Sequence, residues 1–154
     1  MAIQTTDNNY FKSLTVLYTA LLAGQVIFLL LSVFLVFSGN FVNRMPELEN
    51  IFFIAVPASI IIARLAGNLL FKRKVQDAVN MTSNSDKLNA YRAAFLTRCA
   101  LLEFSTLFAI ISFLLTNRME LLVFAAGGLF LFVTLKPSKE KVANTLQVSE
   151  ADIS

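Results

Sequence analysis

The sequence predicts an all-α fold, a four-helix transmembrane bundle with both termini in the cytoplasm, and three observations predict it. The 154 residues are 56% hydrophobic and 15% charged, with a mean hydropathy of +0.68. A soluble domain of that size buries only about two-thirds of its chain surface and could not hide so much apolar area. Four continuous apolar runs reach or approach the roughly 20 residues that a helix needs to cross about 30 Å of hydrocarbon. The lysines and arginines divide very unevenly between the alternate connections of those runs. One membrane domain, residues 1–154, accommodates all four runs, since the chain is too short for two ordinary domains.

The first span, about residues 14–37, carries no charge. Its apolar stretch is too long for a cleaved leader and no small-residue cleavage pattern precedes Gly39-Asn40, so it is expected to stay as an anchor. The second span, 51–71, carries Arg64, and the third, about 93–115, carries Arg98 and Glu103. The fourth, about 120–135, is short and borrows from its flanks. Barrel strands alternate in hydrophobicity and are much shorter than these runs. A helix satisfies every backbone group within one segment, which the bilayer core demands.

Orientation follows from charge. With the N-terminus inside, the cytoplasmic parts hold Lys12; Lys72, Arg73, Lys74, Lys87 and Arg92; and Lys136, Lys139 and Lys141. The opposite connections hold Arg44 and Arg118, so nine positive residues stand against two. That asymmetry places both termini, and the tail 136–154, in the cytoplasm of a bacterial or archaeal cell, with the inner (plasma) membrane as the expected home. The outer connections, 38–50 and 116–118, are too short for an outer domain. The inner one, 72–92, contains the polar run Asn80-Met81-Thr82-Ser83-Asn84-Ser85-Asp86 and is expected to be a solvated connector with its basic ends at anionic lipid. Ser85 or Asp86 is placed to cap the helix entering the third span. In the tail, Val142, Leu146 and Val148 are too few to predict a docking helix.

Composition removes several function classes. There is no histidine, the commonest general base and metal ligand, and the single cysteine, Cys99, excludes an intrachain disulfide. No nucleophile–base constellation, phosphate-binding glycine loop or metal-ligand cluster stands in the outer loops, so neither an enzyme nor a cofactor is expected. Nucleic-acid binding has no support, because the basic residues track the membrane edge. The expected partners are the lipid bilayer, another copy of the chain, or other membrane subunits.

A weak internal repeat is also visible. Shifting the first span by 80 residues matches Ala20-Leu21-Leu22 to Ala100-Leu101-Leu102, Phe28 to Phe108 and Ser32 to Ser112. Both spans run inside to outside, as a same-direction duplication of a hairpin would require. Alanine, leucine and phenylalanine are common in any span, so chance similarity stays open beside it.

Two sets of residues stand out within the spans. Ala55, Ser59, Ala63 and Gly67 recur every fourth residue and lie along one ridge of the second helix. Small residues at that spacing let membrane helices approach closely. Ala20 and Gly24 in the first span, and Ala125-Ala126-Gly127-Gly128 in the fourth, offer similar packing surfaces. A pore lined by small residues is the other reading. Pro57 removes one N–H and leaves the Phe53 carbonyl without its helical partner, a possible hinge.

The second set is charged. Arg64 lies roughly 10 Å, Arg98 roughly 8 Å and Glu103 roughly 15 Å from the inner end of their spans, at 1.5 Å per residue. An unpaired charge in hydrocarbon costs at least about 2.5–3.5 kcal/mol on insertion scales. Arg64 and Glu103, on adjacent antiparallel helices, are therefore expected to pair, with Asn68 one turn from Arg64 and Gln25 completing a buried polar cluster. Such a cluster reads either as a lock on helix register or as a proton or ion site at Glu103. Arg98 is expected to snorkel to the inner interface, and Cys99 to pack.

The pattern Lys87-Leu88-x-x-Tyr91-Arg92, Arg98-x-Ala100-Leu101-Leu102-Glu103 and Lys136-Pro137-Ser138-Lys139-Glu140-Lys141 resembles a group of small uncharacterised four-span membrane proteins of bacteria. The resemblance covers the second half of the chain and implies a fold without an activity. A more distant resemblance, over about residues 51–115, is to the proteolipid c subunit of rotary ATPases, with Glu103 at the ion-carrying carboxylate. The chain lacks that family's glycine-rich helix, its loop is longer, and Arg64 would disturb a rotor site. The reading that results is a small structural or accessory subunit of a membrane complex; the alternative is a proton- or ion-coupled transport component that uses Glu103.

Overall fold

The computed structural model describes residues 10–39 and 45–148. Asn40 and Arg44 of the first outer connection and residues 149–154 of the tail lie outside them. The described residues form five helices and no strand, and 88% of them are helical. These are α1 (Tyr10–Phe37), α2 (Pro46–Val79), α3 (Asn84–Thr116), α4 (Met119–Val133) and α5 (Lys139–Leu146). Three of them, α1 to α3, are long and apolar enough to cross a membrane. With 15 residues, α4 is only about 22 Å long at 1.5 Å per residue.

The central element is α3, which packs against α1, α2, α4 and α5, whereas α1 rests on α3 and α4 rather than on α2. Cross-links show which ends lie together. At one end, the Tyr10 hydroxyl donates to the Leu88 carbonyl at 2.5 Å, and the Tyr18 hydroxyl lies 3.2 Å from the carbonyls of Phe132 and Val133. The starts of α1 and α3 and the end of α4 therefore share this basic end. At the other end the Met45 amide donates to the Leu115 carbonyl at 3.3 Å, joining the approach to α2 with the close of α3. Asn117 makes the α3–α4 reversal tight by adopting φ 57°, a left-handed conformation that asparagine tolerates; its amide still bonds the Phe113 carbonyl at 2.7 Å.

Two expectations fail at the basic end. No solvated loop spans residues 72–92: α2 runs on to Val79 and α3 begins at Asn84, leaving residues 80–83 as the connector. The reason is apolar patterning that continues past the hydrophobic run. Val75 and Ala78 of α2 and Leu88 and Tyr91 of α3 are all buried in one cluster, so the hairpin zips up outside the apolar segment. Ser83 stands at the N-cap position, which puts Ser85 and Asp86 inside the first turn rather than at the cap.

The tail also docks. Ser138 caps α5 by accepting from the Lys141 amide at 3.3 Å, and Val142, Ala143 and Leu146 are buried in the same cluster. Three side chains suffice because they meet an apolar surface already built by α2 and α3. A second cluster, around Val56, Ile60, Ile110, Phe113, Leu121 and Ala125, fills the other end.

Candidate functional site

The small-residue ridge of α2 works as a packing surface at its lower half. Ala63 and Gly67 are buried, while Ala55 and Ser59 are half-buried, Ser59 donating to the Val56 carbonyl at 2.7 Å. A Cβ placed on Gly67 would lie 3.3 Å from Arg98 Cγ and 3.7 Å from its Cα, so this glycine lets the Arg98 backbone and stem lie against α2. Gly128 does the same between α4 and α3: a Cβ there would come within 2.6 Å of Thr106 Oγ1.

The remaining expected residues, Ala20, Gly24 and Gly127, lie off the packed surfaces of the described residues. Ala20 and Gly24 are exposed, and a Cβ on Gly24 or on Gly127 would meet no atom within 4 Å. The reason is rotational. Leu14, Tyr18, Gln25 and Ser32 face inward from α1, and at about 100° per residue Gly24 is turned a quarter-circle from Gln25 and Ala20 lies nearly opposite Tyr18.

The charged residues assemble differently from expectation. Among the described residues the ion pairs are Arg118 with Glu49 at 3.1 Å and Arg118 with Glu120 at 3.3 Å; Arg64 and Glu103 form none. Depth had matched them, but depth says nothing about rotation. Arg98 is the α3 residue that lies against Gly67 of α2. Glu103 follows it by five residues and is turned roughly 140° away. What Arg64 meets instead is the field of a like charge, Arg98. The Arg98 guanidinium sits 5.2 Å from the centroid of the Phe71 ring, one turn beyond Gly67 toward the basic end. That is the direction expected for a snorkelling side chain, with a cation–π contact on the way.

The polar atoms here are under-satisfied. Arg64 Nη1, Asn68 Oδ1 and Arg98 Nε are buried without a hydrogen-bond partner. Gln25 does not join them: it is buried on α1, which packs on α3 and α4, and its Nε2 reaches only the Leu21 carbonyl at 3.5 Å. The expected cluster of four thus separates into an Arg64–Asn68–Arg98 seam between α2 and α3, a lone Gln25, and an unpaired, half-buried Glu103. Cys99 is buried in the lower cluster.

Sequence reasoning missed the clasp at the acidic end. Arg118 joins Glu49 in the first turn of α2 to Glu120 in the first turn of α4. Its signal was the spacing Arg118-x-Glu120 at a helix start, where carboxylates are favoured. The tyrosines at the base of α1 were also missed; each spends its hydroxyl on a carbonyl of another helix.

Fold and site together define an α-helical protein with three helices of membrane-crossing length and a cationic seam between two of them. No family model matches the chain, and neither the curated proteins nor the solved structures contain a match.

Proposed function

We propose that the chain is a multi-pass protein of a bacterial inner membrane, with α1 to α4 crossing as a four-helix bundle and both termini in the cytoplasm. On this reading it is a non-enzymatic structural or accessory subunit, held to another copy or to another membrane protein. The observation that carries the reading is Arg64. It lies in the middle of an apolar helix, keeps one buried nitrogen without a partner, and pairs with no carboxylate among the described residues. A guanidinium at that depth costs at least about 2.5–3.5 kcal/mol unless it is neutralised. A carboxylate from a neighbouring helix would accept from Arg64, and a side-chain amide there would accept from Arg64 while donating to Asn68 Oδ1. The neighbouring side chains Ile61, Leu65 and Leu69 point outward, so the approach from that side is apolar and open to a helix.

Native mass spectrometry of the chain, extracted gently from its own membrane, tests this directly. A second protein or a second copy at fixed stoichiometry, lost in Arg64→Gln, is the expected result. A wild-type chain that is monomeric and partner-free under the same extraction would overturn it.

A second reading has one observation in its favour. Glu103 forms no ion pair among the described residues, which leaves a half-buried intramembrane carboxylate available to carry a proton or cation. Ion flux into liposomes, compared between wild type and Glu103→Gln, decides it: equal flux removes the transport reading.

A further inference from the structure

The seam opens at its basic end into a cavity of about 250 Å³, framed by α2, α3 and the elbow between α4 and α5. Three cations line it: Arg98 from α3, Lys136 from the elbow and Lys141 from α5. Tyr91 and Thr145 line it too, Phe71 forms part of its wall, and no carboxylate among the described residues contributes. Three positive groups around a small space repel one another, and Arg98 Nε is buried there with no acceptor. Neither feature is accounted for by packing, since the apolar side chains of α5 already dock without the lysines.

We infer that this cavity is a phosphate-binding site at the membrane edge. Size restricts the ligand. Pockets for drug-sized molecules run from about 300 to 1,000 Å³, so about 250 Å³ holds a phosphate group and leaves whatever is attached to it outside. Chemistry selects the anion, because an arginine presents a planar fork of donors suited to phosphate while lysines act as mobile point charges. Position supplies two sources. Arg98 belongs to an apolar helix of membrane-crossing length, and Lys136 and Lys141 follow the end of α4. An anionic lipid headgroup could enter from the bilayer side, and free phosphate from the aqueous side. Occupation would neutralise the seam and fasten α5, hence the tail, to α3. The inference is independent of the subunit reading above, since it requires no protein partner.

The test uses the purified, delipidated full-length chain and three probes: phosphatidylglycerol, phosphatidylcholine and inorganic phosphate, with binding read by native mass spectrometry and by thermal shift. Lys136→Gln with Lys141→Gln is the informative double variant, because both side chains are exposed and their loss should leave the fold intact. Lys72→Gln with Arg73→Gln, exposed on α2 and outside the cavity, controls for general surface charge. At roughly fivefold per lysine, the cavity variant should weaken binding about twenty-five-fold while the control variant stays within a few-fold of wild type. Preference for phosphatidylglycerol over phosphatidylcholine, without competition from inorganic phosphate, identifies a lipid headgroup. Saturable binding of inorganic phosphate, lost in the cavity variant, identifies the free anion. Equal weakening in both double variants, or no saturable binding of phosphatidylglycerol or phosphate, would overturn the site.

Discussion

α1 and α3 could be exchanged on hydropathy alone, yet they occupy opposite roles. α1 is the more apolar of the two, but its most apolar stretch is 11% buried against 50% for that of α3. Four residues of α1 face inward and thirteen of α3 do. In lipid an apolar side chain gains nothing by turning toward another helix, so hydrophobicity does not choose the centre of a membrane protein. Small and hydroxylated side chains choose it. Ser105, Thr106, Ser112 and Thr116 are all buried on α3, each bonded to a carbonyl three or four residues back, which removes the cost of burying them. The possible duplication sharpens the contrast. Ser32 and Ser112, matched by the 80-residue shift, make the same 2.8 Å bond four residues back, on Phe28 and Phe108, although one helix is peripheral and the other central.

The largest expected effect tests that difference with the same residue type on both helices. Phe113 of α3 is fully buried and Phe34 of α1 is 66% exposed. Phe113→Ala forfeits dispersion contacts and leaves a cavity, and should lower stability in detergent by about 3 kcal/mol. Phe34→Ala should cost a small fraction of that, because detergent takes its place. Equal losses in chemical unfolding would mean that α1 is packed as deeply as α3.

The adjacent glycines of α4 give the next effect. Gly128→Ala drives a methyl group into Thr106, a short buried side chain already bonded to the Leu102 carbonyl. A loss of about 1–3 kcal/mol, typical of overpacking, is expected. Gly127→Ala enters open space and should be neutral or gain up to about 1 kcal/mol from helix propensity. Thermal unfolding in one detergent separates the two, and a destabilising Gly127→Ala would show that this face is covered by another copy.

A smaller effect belongs to the Arg118 clasp. The side chain is 48% exposed, so its two ion pairs are screened by solvent. Arg118→Ala should cost under about 1 kcal/mol, less as salt rises. A larger, salt-independent loss would show that the clasp is shielded from water in the membrane.

The long helices were legible because length and hydropathy alone mark a segment that leaves water. The extension of α2 to Val79 and the docking of α5 were not, since both are built in the polar part of the chain. There the signal is a few spaced apolar residues, Val75 and Ala78 or Val142 and Leu146, whose value depends on a surface only the folded chain provides. Among the site residues, Arg64 and Asn68 could be read from composition of the span. Their neighbour could not: residue counting along a helix gives height, and facing needs the rotation that Gly67 and its contact with Arg98 set.

That distinction between height and rotation yields the smallest effect. If Arg64 and Glu103 were paired, removing either would strand the other, and a double-mutant cycle would show coupling of 0.5–3 kcal/mol. With Glu103 turned from α2, Arg64→Gln and Glu103→Gln should act independently, their combined effect equalling the sum within about 0.5 kcal/mol. The same cycle between Arg64 and Arg98 should behave otherwise. The two are like charges sharing one seam, so removing one relieves the other and the double variant should be less stable than the sum of the singles implies. Measured side by side in thermal unfolding, the two cycles test facing without any change of depth. Strong coupling to Glu103 and none to Arg98 would require α3 to be rotated by more than a third of a turn.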